Sequence, residues 1–204
     1  MTKEKLNLLK VRMTKLNTFA RVRALSHWHA KCFCVALLSR MAPNFHLFAV
    51  VVEHETPDLL SKVLELTKES LVSPKSKINF SLQIEKIEEA APDISAFDMF
   101  GVYPANDACM AMVATLNLFS NEDPGGAVVV SKLSQGGVEA YLLNSQEADD
   151  DTVKTHPLME FEVALQNTLL DYLEQGAKSK ETLQQCLAIA LEENMSNIGI
   201  DLSH

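Results

Sequence analysis

The sequence predicts a mostly helical, single-domain protein, and three observations carry that prediction. Apolar residues recur at helical spacings of three and four through most of the 204 residues. Aromatic content is 6%, low for the aromatic strands of a sandwich or barrel. Seven Gly and seven Pro exclude a collagen-like or disordered chain. Hydrophobic residues make up 47% and charged residues 22%, enough for a full core without staples.

Leu6, Leu9, Met13 and Leu16 fall on one helical stripe, so a basic amphipathic helix is expected over residues 3–23, docked on the rest of the chain. Ser26 caps a helix expected to run to about Met41, with Trp28, Cys32, Val35 and Leu38 on one face. Ala42-Pro43-Asn44 is expected to break it, Pro43 then opening a second helix through Phe45, Phe48 and Val52. Thr56-Pro57-Asp58 reads as a further start signal, for a helix carrying Leu59, Leu60, Val63, Leu64 and Leu66 and ending near Ser73-Pro74. Asn79 caps the next helix, whose buried stripe is Phe80, Ile84, Ile87 and Ala91 and which Pro92 stops.

Asp93 to Tyr103 reads as an ordered connector, in which Gly101 is expected to need a conformation or close approach that a side chain would disturb. Pro104 opens a helix, Ala105 to about Phe119, that is apolar nearly all round and therefore central. Residues 124–146 stay open between a hairpin and a helix, composition leaning to strand. Thr155 to Glu174 forms a strong helix with Gly176 past its end. Ser179 to Asn194 forms the last, with Leu183, Leu187, Ala190 and Leu191 inward.

Net charge is −9 but uneven: residues 1–31 carry eight Lys or Arg against Glu4 alone, and the other 173 residues carry ten against 26 Asp or Glu. The acidic body argues against nucleic-acid binding, which needs a basic face to displace counterions. No uninterrupted apolar run reaches the ~18 residues that span a bilayer. Cys32, Cys34, Cys109 and Cys186 form no disulfide framework, which together with an N-terminus unlike a secretory signal predicts a cytoplasmic protein.

Several segments, taken in order, resemble the YjaG-like family of bacterial proteins of unknown function. They are Trp28, Arg40-Met-Ala-Pro-Asn-Phe45, Asn79-Phe-Ser-Leu-Gln-Ile-Glu-Lys86-Ile-Glu-Glu-Ala90, Asp98-Met-Phe-Gly101-Val-Tyr-Pro-Ala105-Asn-Asp107-Ala-Cys109 and Ser196-Asn-Ile-Gly-Ile200. The resemblance runs from about Leu25 to Ile200 and leaves residues 1–24 largely outside. It implies an all-α fold, and the helices counted along the chain make this a compact multi-helix domain of about eight or nine helices around the buried central helix. It also tips 124–146 to helix, with Gly125-Gly126 and Gly136-Gly137 leaving room for a kink. It brings no activity or catalytic residues.

Three clusters carry chemistry-competent side chains. Asp98, Tyr103 and Asp107 stand within ten residues of the connector and could bind a cation or a ligand, or do acid–base work. The same three also suit structural roles, Asp107 as an acid in a helix's first turn. His27, His29, Cys32 and Cys34 are metal-competent, but only His29 and Cys32 share a turn, so buried structural cysteines are expected. Glu85 and Glu89 share a face without the Glu-x-x-His pairs of a di-metal site. Neither metal nor cofactor is therefore expected. The expected function is a non-catalytic interaction or regulatory protein, whose partner is another protein or a second copy of this chain, with no nucleic acid and no membrane. The alternative is an enzyme or a small-ligand or cation-binding protein using Asp98, Tyr103 and Asp107.

Overall fold

The computed structural model describes residues 17–73 and 77–202. Among them eight α-helices follow one another: α1 Thr18–Ala24, α2 His27–Val51, α3 Leu59–Val72, α4 Phe80–Ala90, α5 Val102–Ser120, α6 Gly126–Asn144, α7 Pro157–Leu173 and α8 Lys180–Ala190. Short 3-10 turns, Ile94–Ala96 and Val153–Thr155, lead into α5 and α7. The fold is all-α, as the periodicity and the family resemblance predict. The expected stripe Leu6, Leu9, Met13 and Leu16 lies outside the described residues.

Local chemistry starts several helices where expected. The side chains of Ser26, Asn79 and Ser179 accept hydrogen bonds from the backbone amides of His29, Leu82 and Thr182. Asn17 does the same for Ala20 and starts α1 inside the span expected as one helix over residues 3–23. Pro157 occupies the first turn of α7, where its missing N–H costs nothing. At α3 the start falls later than Thr56-Pro57-Asp58 predicts. Leu59 is the first helical residue, Asp58 makes no side-chain cap, and Thr56 bonds His54 instead.

The largest departure is at Pro43, which lies inside α2 rather than between two helices. An internal proline forfeits one backbone bond, here to the Ser39 carbonyl, and costs about 3 kcal/mol. Against that stands burial on both sides: Leu37, Leu38 and Met41 before it, Phe45, Phe48 and Ala49 after it. Each large side chain contributes about 1.5–3 kcal/mol when fully buried, so packing outweighs the local break. By length and composition α2 is long and apolar enough to cross a membrane, yet 72% of its apolar window is buried inside the fold. It shares the centre with α5, the helix expected to be central.

Around this pair, α3 and α4 cover one side, α6 packs on both central helices, and α7 and α8 close the other side. Residues 126–144 form a continuous helix, settling the ambiguity of 124–146 against the hairpin. Gly126 lets α6 start against α5, because a β-carbon there would meet the Ala114 carbonyl oxygen at 2.3 Å. Gly101 needs no such freedom. Its φ is −55°, and an added β-carbon would find only the Phe48 ring, 3.9 Å away. The last helix stops at Ala190, not near Asn194. Asn194 turns the chain at φ 50°, and Met195 pairs antiparallel with Asp201. This closing segment returns Ser196, Asn197 and Ile198 to the interior.

Candidate functional site

Of the three connector residues, Asp98 and Tyr103 face solvent, Tyr103 with its ring 5.9 Å from that of Phe100. Asp107 turns inward. Because α5 begins at Val102, it stands in the second turn rather than the first, outside the reach of the helix dipole. Its Oδ2 lies 3.6 Å from the point a Gly137 β-carbon would occupy, and the Asn197 amide nitrogen lies 3.3 Å from the same point. Burial pushes the Asp107 carboxyl up to about 6. No hydrogen bond joins any two of the three residues, and Tyr103 and Asp107 stand one turn apart on α5.

A buried polar network does form, from residues the connector motif does not include. Arg40 on α2 is ion-paired with Glu162 on α7. The same guanidinium donates to the Met195 and Ser196 carbonyls at 3.4 and 3.3 Å and lies over the Phe161 ring at 5.4 Å. Glu162 also accepts from the Ser134 hydroxyl at 2.6 Å and the Gln166 amide at 2.8 Å. Gln166 in turn accepts from Ser131 at 2.6 Å and Gln135 at 3.0 Å. The charges are thus paired and hydrogen-bonded, the condition for keeping them in an apolar interior.

One turn beyond Arg40, the Asn44 side-chain amide donates to Asn197 Oδ1 at 2.8 Å, and the Asn197 side-chain amide donates to the Ser134 backbone carbonyl at 3.1 Å. These bonds fix both amide orientations, since reversing either would set two acceptors or two donors face to face. The consequence is that Asn44 Oδ1 is buried with no hydrogen-bond partner among the described residues. An unmet buried acceptor costs about 1–3 kcal/mol and calls for an explanation.

Asn44 lines a cleft of about 290 Å³. Its walls are Leu47, Phe48 and Val51 of α2, Met99 and Phe100 of the connector, Pro104 of α5, Tyr141 of α6, and Ile198 and Ile200 of the closing segment. Leu47, Val51 and Met99 remain 47%, 58% and 41% exposed, so the rim is apolar and open to water. Among the described residues no Lys, Arg, Asp or Glu lines it. The one ionisable group that the described residues place on the walls is Tyr141, whose phenol is raised by burial and then by Glu147.

The metal-competent residues find other partners. His27 bonds the Leu118 carbonyl at 2.9 Å and His29 the Ser26 hydroxyl at 2.8 Å, while all four cysteines are buried and free. Burial pushes all four thiols up, those of Cys34, Cys109 and Cys186 to about 12, which leaves them unreactive. Among the described residues no three His, Cys, Asp or Glu side chains stand where they could hold a metal. Glu85, Glu88 and Glu89 are exposed on α4.

Reading by motif overlooked Asn44, Arg40 and Glu162. The available signal was polarity out of place: Arg40 and Asn44 interrupt the apolar run from Cys32 to Ala49, and Glu162 and Gln166 share a face with Leu165 and Leu169.

Comparisons with known proteins agree with this fold. A family model described as a protein of unknown function, DUF416, matches residues 17–201. The uncharacterized protein YjaG of Escherichia coli K12 is 33% identical over 184 residues, which cover 88% of this chain and 94% of that protein. An uncharacterized protein of Haemophilus influenzae is 33% identical over 188 residues, 89% of this chain and 95% of that one. The crystal structure of a DUF416 family protein from Shewanella baltica OS155 is 36% identical, with a TM-score of 0.84, covering 92% of this chain and all of that one.

Proposed function

This chain belongs to the DUF416 family of proteins of unknown function, and we propose that it is a non-catalytic binding protein whose cleft at Asn44 receives the apolar part of its partner. The observation that carries this reading is the pairing of an open apolar rim with a buried acceptor that lacks a donor. Binding sites are concave and largely apolar, with a few polar groups that set orientation, and this cleft has that composition. A lining that, among the described residues, joins no nucleophile to a base supports the non-catalytic reading. Four buried free thiols suit a reducing compartment, so the cytoplasm is the proposed location.

The test is a fragment screen by ligand-observed NMR on the full chain, with hits mapped by amide shifts. Hits that move Tyr141, Ile198 and Ile200 and disappear in Leu47→Asp support the reading. Hits confined to other surfaces, or none at all, sink it.

A second reading rests on Asp107. A carboxyl pushed up to about 6 is poised for proton transfer near neutrality. It predicts turnover that rises or falls around that pH and is lost in Asp107→Asn.

A further inference from the structure

We propose that the cleft and the apolar patch around it dock one amphipathic helix of a partner protein, its apolar side chains in the cleft and its Lys and Arg along the edges. The inference deepens the binding reading above and rests on it.

The patch is continuous. Leu47, Val50 and Val51 stand at helical spacing on one face of α2 and are 47%, 52% and 58% exposed. Leu47 and Val51 share the cleft wall with Met99 and Phe100, and the Phe100 ring lies 5.9 Å from that of Tyr103 and 6.1 Å from that of Tyr141. Met99 and Tyr103 are 41% and 47% exposed. Large side chains about half exposed in this number present on the order of 400 Å². A stable dimer buries about 800 Å² on each partner, so a second copy of this chain gains too little here. A single helix in a groove needs only a few apolar anchors. The cleft of about 290 Å³ takes on the order of ten of their non-hydrogen atoms, at roughly 30 Å³ each. Among the described residues no strand offers an edge to an extended peptide, and the groove borders on α2 and α6. A helix is therefore the element that fits.

Charge at the rim sets the sign of the partner. Asp98 adjoins the wall residue Met99, Glu53 follows the wall residue Val51 by two positions, and both acids are exposed. Glu147, also exposed, acts on the Tyr141 phenol, which burial raises and this nearby carboxylate raises further. No Lys or Arg stands within two residues of any wall residue. Arg40, one turn from Asn44, is 1% exposed and its charge is met by Glu162, so it does not offset these acids. A basic helix meets opposite charge along the rim, whereas an acidic helix or a second copy of the same face meets like charge.

The experiment titrates peptides of about fourteen residues into the full-length protein at pH 7.5, followed by amide chemical shifts. The first peptide carries leucines on one helical stripe and lysines elsewhere. The second replaces each lysine by glutamate, and the third keeps the composition of the first with its leucines spread round the helix. A peptide of residues 1–16 of this chain is the fourth arm, and sedimentation of the protein alone tests a second copy. The expected result is saturable shifts at Leu47, Val51, Met99 and Ile200 with the first peptide, about tenfold or more tighter than with the second and third. Val51→Ser, at a position 58% exposed, should weaken that binding about tenfold and leave the melting temperature unchanged. Asp98→Asn combined with Glu53→Gln should weaken it several-fold, as should raising salt from 50 to 500 mM.

The acidic or the spread peptide binding as tightly at these residues overturns the proposal while leaving the cleft a binding site. Binding by residues 1–16 alone also overturns it and makes this chain's own segment the occupant. A dimer that Val51→Ser dissociates overturns it in favour of a second copy. Silence of the cleft toward every probe removes both the proposal and the reading beneath it.

Discussion

Arg40 and Glu162, 122 residues apart in the chain, close an ion pair with side-chain exposures of 1% and 0%. The pair ties α2 to α7, and through Arg40 to the Met195 and Ser196 carbonyls it also holds the closing segment that forms one wall of the cleft. Its contribution is therefore positional as well as energetic, because a wall of the site hangs on a buried charge.

Removing one partner should be expensive. Glu162→Ala leaves a guanidinium buried without a counter-charge, a loss of about 3–5 kcal/mol. For a chain of this size that is a fall in Tm on the order of 10 °C. Arg40→Leu combined with Glu162→Leu should recover only part of it, since Ser134 and Gln166 also donate to Glu162 and would lose their acceptor. Full recovery in calorimetry of the double variant would show that the network around the pair contributes nothing.

Three glycines should respond differently to alanine. Gly126→Ala drives a methyl against the Ala114 carbonyl and should cost about 1–3 kcal/mol. Gly136 lies in the same helix with nothing within 4 Å of an added β-carbon, so Gly136→Ala should stabilise by about 0.5–1 kcal/mol. Gly101→Ala should change stability by less than about 0.5 kcal/mol. Urea denaturation of the three variants ranks them; a neutral Gly126→Ala would refute the close approach of α5 and α6.

Asp107 should make stability depend on pH. Its carboxyl is raised from 3.8 to about 6 in the folded chain. Between those values the folded state holds a proton that the unfolded state has released, so stability falls as pH rises from about 4 to 6 and is level above. Asp107→Asn removes that loss. It should raise Tm by about 2–4 °C at pH 7.5, after allowance for partial solvent access, and by nothing at pH 3.5. An equal gain at both pH values would point to packing instead of charge.

Arg21 should hold α1 in place. Its guanidinium donates to Glu174 twice at 2.9 Å, to Asp171 at 2.5 Å and to Asn167 at 2.9 Å, and the residue is 9% exposed. Arg21→Ala should lower stability by about 1–3 kcal/mol and raise amide exchange over residues 18–24. Arg21→Lys should rescue only part, because an ammonium cannot reproduce the two-pronged bond to Glu174. Unchanged exchange in the alanine variant would mean that apolar contacts alone dock this helix.

Much of the architecture follows from neighbours in the chain. Phe80, Ile84, Ile87 and Ala91 recur at helical spacing, Asn79 accepts from Leu82, and Ser179 accepts from Thr182. Each of those signals spans four residues or so, and the sequence by itself determines them. It determines the all-α class for the same reason, since periodicity is a property of each helix alone. What spans the molecule is decided only when helices pack. Whether Pro43 breaks a helix depends on how much Phe45 and Phe48 bury against other elements. Whether a glycine is required depends on what approaches it, so Gly126 and not Gly101 proves constrained. Asp98 and Tyr103 are exposed while Asp107 is partly buried, because exposure along one connector and helix depends on which elements pack against it. Asn44 and Asn197 are 153 residues apart and hydrogen-bonded, because only the tertiary register of α2 with the closing segment can bring two amides together.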